Sequence, residues 1–141
     1  MSDQLLIVER LLPASRGRVW RALTNKEEMK KWYFALSEFI PEPGFRFSFT
    51  GGPEDGTQYV HICEITEVVP ERRLAYSWRY EGYDGISYVM FALEEQGAQT
   101  LLRLTHSGLS SFPELPDFAR SNFEAGWNHI IGISLPAYLQ S

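Results

Sequence analysis

Polar and apolar positions change their rhythm along this chain, and the last change is the largest. From 117 to 139, Phe123, Trp127, Ile130, Ile131, Ser134, Leu135 and Tyr138 fall on one side of a helical wheel. Asn122, Asn128, Ile133 and Gln140 lie away from its centre. That pattern predicts an amphipathic helix. At ~1.5 Å per residue it would run on the order of 35 Å, about the width of a small domain. It calls for one broad apolar surface to lie on.

The preceding segments are expected to supply that surface. Gln4 to Leu12 reads as a strand ended by Pro13. Ser15 is placed to cap a short helix through Leu23. Asn25 starts a second, with Glu27 and Glu28 in its first turn and Lys30 and Lys31 in its last, the order a helix dipole favours. Trp32 and Tyr33 close the pair. Six strands are then expected. Ser37 to Ile40 is short and stops at Pro41; Phe45, Phe47 and Phe49 alternate with polar residues; Thr57 to Val69 is β-branched and long. Arg73 to Tyr80, Ile86 to Glu95 and Leu101 to Leu109 follow, separated by turns at Asp84-Gly85 and Gln96-Gly97. Within Ile86 to Glu95, Val89, Phe91 and Leu93 share one face. Hairpin-length links make the sheet antiparallel. The expected fold is α+β: a curved seven-stranded antiparallel sheet, two short helices after strand 1, and a long C-terminal helix over a cavity, all in one domain spanning 1–141. The final helix is expected to begin at Asp117, or at Ser121 through a Ser-x-x-Glu capping box with Glu124. Pro136 inside it orphans the Gly132 carbonyl and predicts a local loosening.

Composition narrows the function classes. The 141 residues carry a net charge of −5, with no basic stripe, so nucleic acid is not an expected partner. The single cysteine, Cys63, excludes an internal disulfide and fits a reducing, cytoplasmic setting. No signal peptide or membrane span is evident. Aromatic residues make up 14% of the chain, enough bulk for the walls of a pocket.

The residues also look familiar. Val19-Trp20-Arg21-Ala22-Leu23-Thr24 with Met29 and Trp32-Tyr33, then Glu67-Val68-Val69-Pro70 with Arg73-Leu74 and Tyr76-Ser77-Trp78, resemble the activator of Hsp90 ATPase homologue 1-like family. So do Leu104-Thr105-His106-Ser107-Gly108 and the closing Gly126-Trp127 with Leu135, Tyr138 and Leu139. The resemblance spans nearly the whole chain in order. It implies the START-like, helix-grip fold, in which a sheet grips the C-terminal helix around an apolar cavity. The eukaryotic co-chaperones of that name carry an additional N-terminal Hsp90-binding domain, and none is expected within these 141 residues.

Candidate ligand-binding residues are Trp32, Phe47, Phe49, His61, Trp78, Tyr88, Phe91, His106, Trp127, Ile131 and Ser134. His106 shares a strand face with Leu102 and Leu104, and His61 alternates with Tyr59 and Cys63. Either imidazole could bond a ligand or serve as acid or base near neutral pH; the plainer reading is a core histidine with its bonds satisfied. Ser134 can bond back to the backbone or offer its hydroxyl to the cavity. Arg120 is expected at the cavity mouth with its head in water. His129 is expected outside the grip, and the three histidines show no metal-ligand spacing. Glu38, Glu64 and Glu67 form no evident catalytic pair, and nucleophile, phosphate-loop and dinucleotide motifs are absent. The leading expectation is a binding module for a hydrophobic or aromatic small molecule, lipid- or polyketide-like, with no cofactor and no metal. The alternatives are a cyclase, dehydratase or hydrolase using a cavity histidine, and a stress- or chaperone-associated interaction protein. A homodimer is compatible with either.

Overall fold

The computed structural model describes residues 5–34, 36, 38–52 and 56–140. Strand β1 (Leu6–Leu12) leads into helices α1 (Arg16–Thr24) and α2 (Lys26–Trp32). Five strands follow: β2 (Arg46–Gly51), β3 (Tyr59–Val69), β4 (Arg73–Tyr80), β5 (Ser87–Gln96) and β6 (Gln99–Ser107). Two 3₁₀ turns, Leu109–Ser111 and Pro116–Phe118, then reach the C-terminal helix. That helix has three parts: α3 (Arg120–His129), a π turn over Ile130–Ser134, and α4 (Leu135–Gln140).

The caps of the helix pair are as the side chains dictate. Ser15 accepts from the Arg18 N–H, and Asn25 accepts from the N–H groups of Glu27 and Glu28. The sheet is antiparallel throughout, in the order β1-β6-β5-β4-β3-β2. It has six strands among the described residues, where seven were expected. Residues 38–40 form no strand, and Ser37 lies outside the described residues. Pro41 and Pro43 remove two ladder donors there. Phe39 instead turns inward edge-on to Phe47, at 5.2 Å between ring centres. The last strand ends at Ser107 rather than Leu109. Gly108 has φ +81°, and a Cβ there would meet the Ile86 carbonyl at 2.9 Å, so the chain turns off the sheet.

Register decides which side chains meet the helix. Pairing aligns Phe49 with His61 and His61 with Tyr80, one rung across β2, β3 and β4. On the neighbouring strands it aligns Val89 with His106 and His106 with Leu6. Along β5, Val89, Phe91 and Leu93 are buried, so period 2 sends Tyr88 to the opposite face, where it is 48% exposed. Tyr88 therefore leaves the expected pocket set.

The C-terminal helix begins neither at Asp117 nor through the Ser121 box. Ala119 is its N-cap, with no side-chain cap bond. Its buried residues are Phe123, Trp127, Ile131 and Leu135, each four apart. A uniform α-helix would rotate such a row steadily off the sheet, because it has ~3.6 residues per turn. The π turn puts more residues into one turn and brings the row back. Pro136 fits this arrangement, since it has no N–H to return to Gly132. The Leu135 N–H reaches the Ile130 carbonyl, five residues back. Ile133 stands on the wet side at 60% exposure.

Polar contacts fix the middle and the far end of the helix. At its far end, Tyr138 donates to Glu28 Oε1 at 2.9 Å, and Arg18 donates to the same oxygen at 2.6 Å. In the middle, Trp127 Nε1 donates to His106 Nδ1 at 3.0 Å. Indole N–H is a donor only, so the neutral imidazole carries its proton on Nε2. Nε2–H then donates to Ser87 Oγ at 2.8 Å, and the Ser87 hydroxyl donates to the Trp78 carbonyl at 2.9 Å. The chain of bonds runs from helix to sheet through the core.

Removing either contact has a measurable cost. His106→Ala leaves the Trp127 N–H without its acceptor and opens a void, so stability in urea titration should fall by about 3 kcal/mol. Tyr138→Phe keeps the ring and loses one bond to a carboxylate, and the same measurement should show a loss of about 1 kcal/mol.

Candidate functional site

A cavity of about 440 Å³ lies between the β3–β4 end of the sheet and the first turns of α3. The sheet contributes Tyr59, His61, Trp78 and Tyr80. The helix contributes Asn122, Phe123, Gly126, Trp127 and, from the π turn, Ile130. Phe34 with Gly51 and Gly52 closes one side; Asp117 and Phe118 close the other. Its depth is set by burial: His61, Trp78, Tyr80, Phe123 and Trp127 are buried, whereas Gly52, Asn122 and Gly126 on the rim are exposed.

Glycine makes room at two of these positions. A Cβ on Gly51 would stand 3.1 Å from the Phe34 ring and 3.5 Å from His61. On Gly126, an exposed residue of the rim, a Cβ would meet nothing within 4 Å.

The walls are rings in mutual contact. His61 stacks on Phe49 at 4.5 Å and meets Trp78 and Tyr80 edge-on at 5.0 and 4.8 Å. Trp78 and Trp127 lie 5.6 Å apart, and Tyr80 stacks on Phe118 at 4.7 Å. Such offset and edge-on pairs are the favoured aromatic geometries.

The polar groups are few and mostly engaged. His61 Nδ1 is 3.0 Å from the Tyr59 carbonyl, to which it donates. Burial brings the His61 pKa down to about 4, against the pull of hydrogen bonds to the backbone of Tyr59 and Phe49. The imidazole is therefore uncharged near neutral pH. Trp78 Nε1 donates to the Tyr80 hydroxyl oxygen at 2.9 Å. Burial pushes the Tyr80 phenol up to about 12, although that bond pulls it down. At the rim, Tyr59 donates to Asp117 Oδ2 at 2.6 Å. That bond, with burial and the carboxylate charge, raises Tyr59 to about 12. Burial pushes the Cys63 thiol up, which removes a thiolate nucleophile.

Of the eleven residues named from the sequence, His61, Trp78 and Trp127 line this cavity. Trp32, Phe47, Phe49, Phe91 and Ile131 are buried in the core beside it. Trp32 donates to the Ala22 carbonyl at 2.9 Å and so joins the two short helices. Ser134 is half-buried and outside the lining. His106 has no exposed surface and lies outside the lining, its nitrogens turned to Trp127 and Ser87. An acid–base role for it in this cavity is not supported. Arg120 is exposed and donates to the Leu5 carbonyl at 3.0 Å, so it ties the helix start to β1. Sequence reasoning passed over Tyr59, Tyr80 and Phe123, although all three lie on the periodic faces that carry His61, Trp78 and Trp127. Phe34, Asp117 and Phe118 come from connections without periodicity. Among the described residues no group of His, Cys, Asp and Glu could hold a metal ion, and no helix is long and apolar enough to cross a membrane.

Similarity to known proteins follows the same architecture. The crystal structure of protein MLL2253 from Mesorhizobium loti is 28% identical, with 97% of each chain covered and a TM-score of 0.78. DynU16, from the dynemicin biosynthetic locus, is 25% identical with a TM-score of 0.80. The match covers 99% of this chain and 48% of DynU16. Mll3558 from Rhizobium loti is 20% identical at a TM-score of 0.83 over 97% of each chain, a likeness of fold alone. None of the curated proteins matches. The family model described as "Activator of Hsp90 ATPase homolog 1-like protein" matches residues 13–140, and the chain belongs to that family.

Proposed function

We propose that the chain binds a small hydrophobic or aromatic molecule between its sheet and its C-terminal helix. The observation that carries this reading is the cavity of about 440 Å³, walled by rings and open at a rim that includes a helix glycine. Ligand sites fall within this size range and combine apolar walls with a few placed polar groups. Here the deep polar group is the Tyr80 hydroxyl. Its oxygen already accepts from Trp78, so its proton is the donor a guest could use. The helix-grip architecture and a similar structure from a biosynthetic locus agree with a small-molecule role. An acid–base reading is weaker, because His61 is the one cavity histidine among the described residues and is uncharged and bonded through Nδ1.

Binding is tested by thermal stabilisation across a panel of lipids and polycyclic aromatic compounds. A guest at one hundred times its dissociation constant should stabilise by ~2.7 kcal/mol. Gly126→Phe should fill the cavity from the helix side and abolish that stabilisation. Gly126→Ala should raise intrinsic stability by about 0.5–1 kcal/mol, since mid-helix glycine is costly and the Cβ has room. A panel without hits, or binding untouched by Gly126→Phe, would end the proposal.

The neutral state of His61 has its own signature. Its pKa falls from 6.5 to about 4 on folding, so between those values the unfolded chain binds more protons. Its contribution is intact above pH 6.5 and is lost as pH drops toward 4, by an amount on the order of 2–3 kcal/mol. Urea titrations at pH 7.5, 5.5 and 4.5 should show that decline, and His61→Gln should flatten it.

A further inference from the structure

The rim of the cavity presents the Asp117 carboxylate, and the Tyr59 hydroxyl beside it has already given its proton away. Tyr59 gives its O–H to Asp117 Oδ2 at 2.6 Å. Asn122 gives one Nδ2 hydrogen to the Pro116 carbonyl at 2.5 Å and keeps a second donor and its amide oxygen, so it can meet a guest of either polarity. Among the described residues Asp117 is the one formally charged side chain in the lining, and no Lys or Arg joins it there. The cation nearest in sequence, Arg120, donates to the Leu5 carbonyl. Inside the rim stand the rings of Tyr59, Trp78, Tyr80, Phe118 and Trp127. Aromatic faces are the negative ends of ring quadrupoles and attract cations. The carboxylate and the aromatic walls thus favour the same sign of charge in a guest. An anionic head group would be desolvated beside Asp117 with no cation to meet it.

We propose that the guest is an aromatic compound bearing a protonated amine, its ring against Trp78 and Trp127 and its ammonium at the Asp117 carboxylate. This rests on the ligand-binding reading above and adds the charge of the ligand to it. Fatty acids and other carboxylates are selected against.

Three probes with one ring system separate the possibilities: 1-naphthylmethylamine, 1-naphthalenemethanol and 1-naphthoate. Each is titrated into the intact chain at pH 7.5 by calorimetry. The amine should bind at least tenfold tighter than the naphthoate, with the alcohol between. Asp117→Asn keeps an acceptor for Tyr59 and removes the charge. It should weaken the amine five- to tenfold and leave the alcohol within twofold. Gly126→Phe should abolish binding of the amine, which tells cavity binding from adsorption to an acidic surface. If the alcohol binds but the amine has no advantage, or keeps it in Asp117→Asn, the charge inference is overturned while the cavity reading stands. If none of the three saturates, both fall for this class of guest.

Discussion

One chain of hydrogen bonds holds helix and sheet together: the Trp127 N–H on His106, the His106 N–H on Ser87, and the Ser87 hydroxyl on the Trp78 carbonyl. Each member is buried, so each lost partner would expose a desolvated polar group. The chain also fixes geometry, because Trp127 can satisfy its indole only with the helix at one height and rotation. Both tryptophans at its ends are cavity walls. The same bonds that set the depth of the helix therefore set the width of the cavity.

The backbone of the helix yields to that constraint. Side chains four apart, from Phe123 to Leu135, have to keep facing the sheet, and Pro136 prevents regular bonding near the end. The π turn meets both demands at once. Beyond it, Tyr138 is held by Glu28, which Arg18 and Arg21 also grip. The start of the helix is held by Arg120 on the Leu5 carbonyl, and the turn before it by the Tyr59–Asp117 pair. The cavity is at this end of the helix.

Much of the fold was legible because its signals are local. Period 2 in Phe45 to Phe49 and Arg73 to Tyr80, the capping residues Ser15 and Asn25, and the helical stripe each appear where they were read. The failures are non-local. Ser37 to Ile40 looks like a strand by composition, but a strand needs a neighbour and donors, and Pro41 and Pro43 remove the latter. Ser121 has capping-box chemistry, yet the helix starts two residues earlier, with Ala119 as its N-cap. Tyr88 could have been excluded from the alternation alone, since Val89 and Phe91 were already assigned inward. His106 was correctly faced inward, but its partners come from a strand and a helix distant in the chain. No spacing rule could reveal that Trp127 and Ser87 would occupy both nitrogens.

Gly126 works as a volume control set apart from the folding machinery. A Cβ placed on it would meet nothing within 4 Å. A first carbon added there displaces no neighbour, so the mouth of the chamber can be narrowed at this one position while the bonds that seat the helix are left as they are.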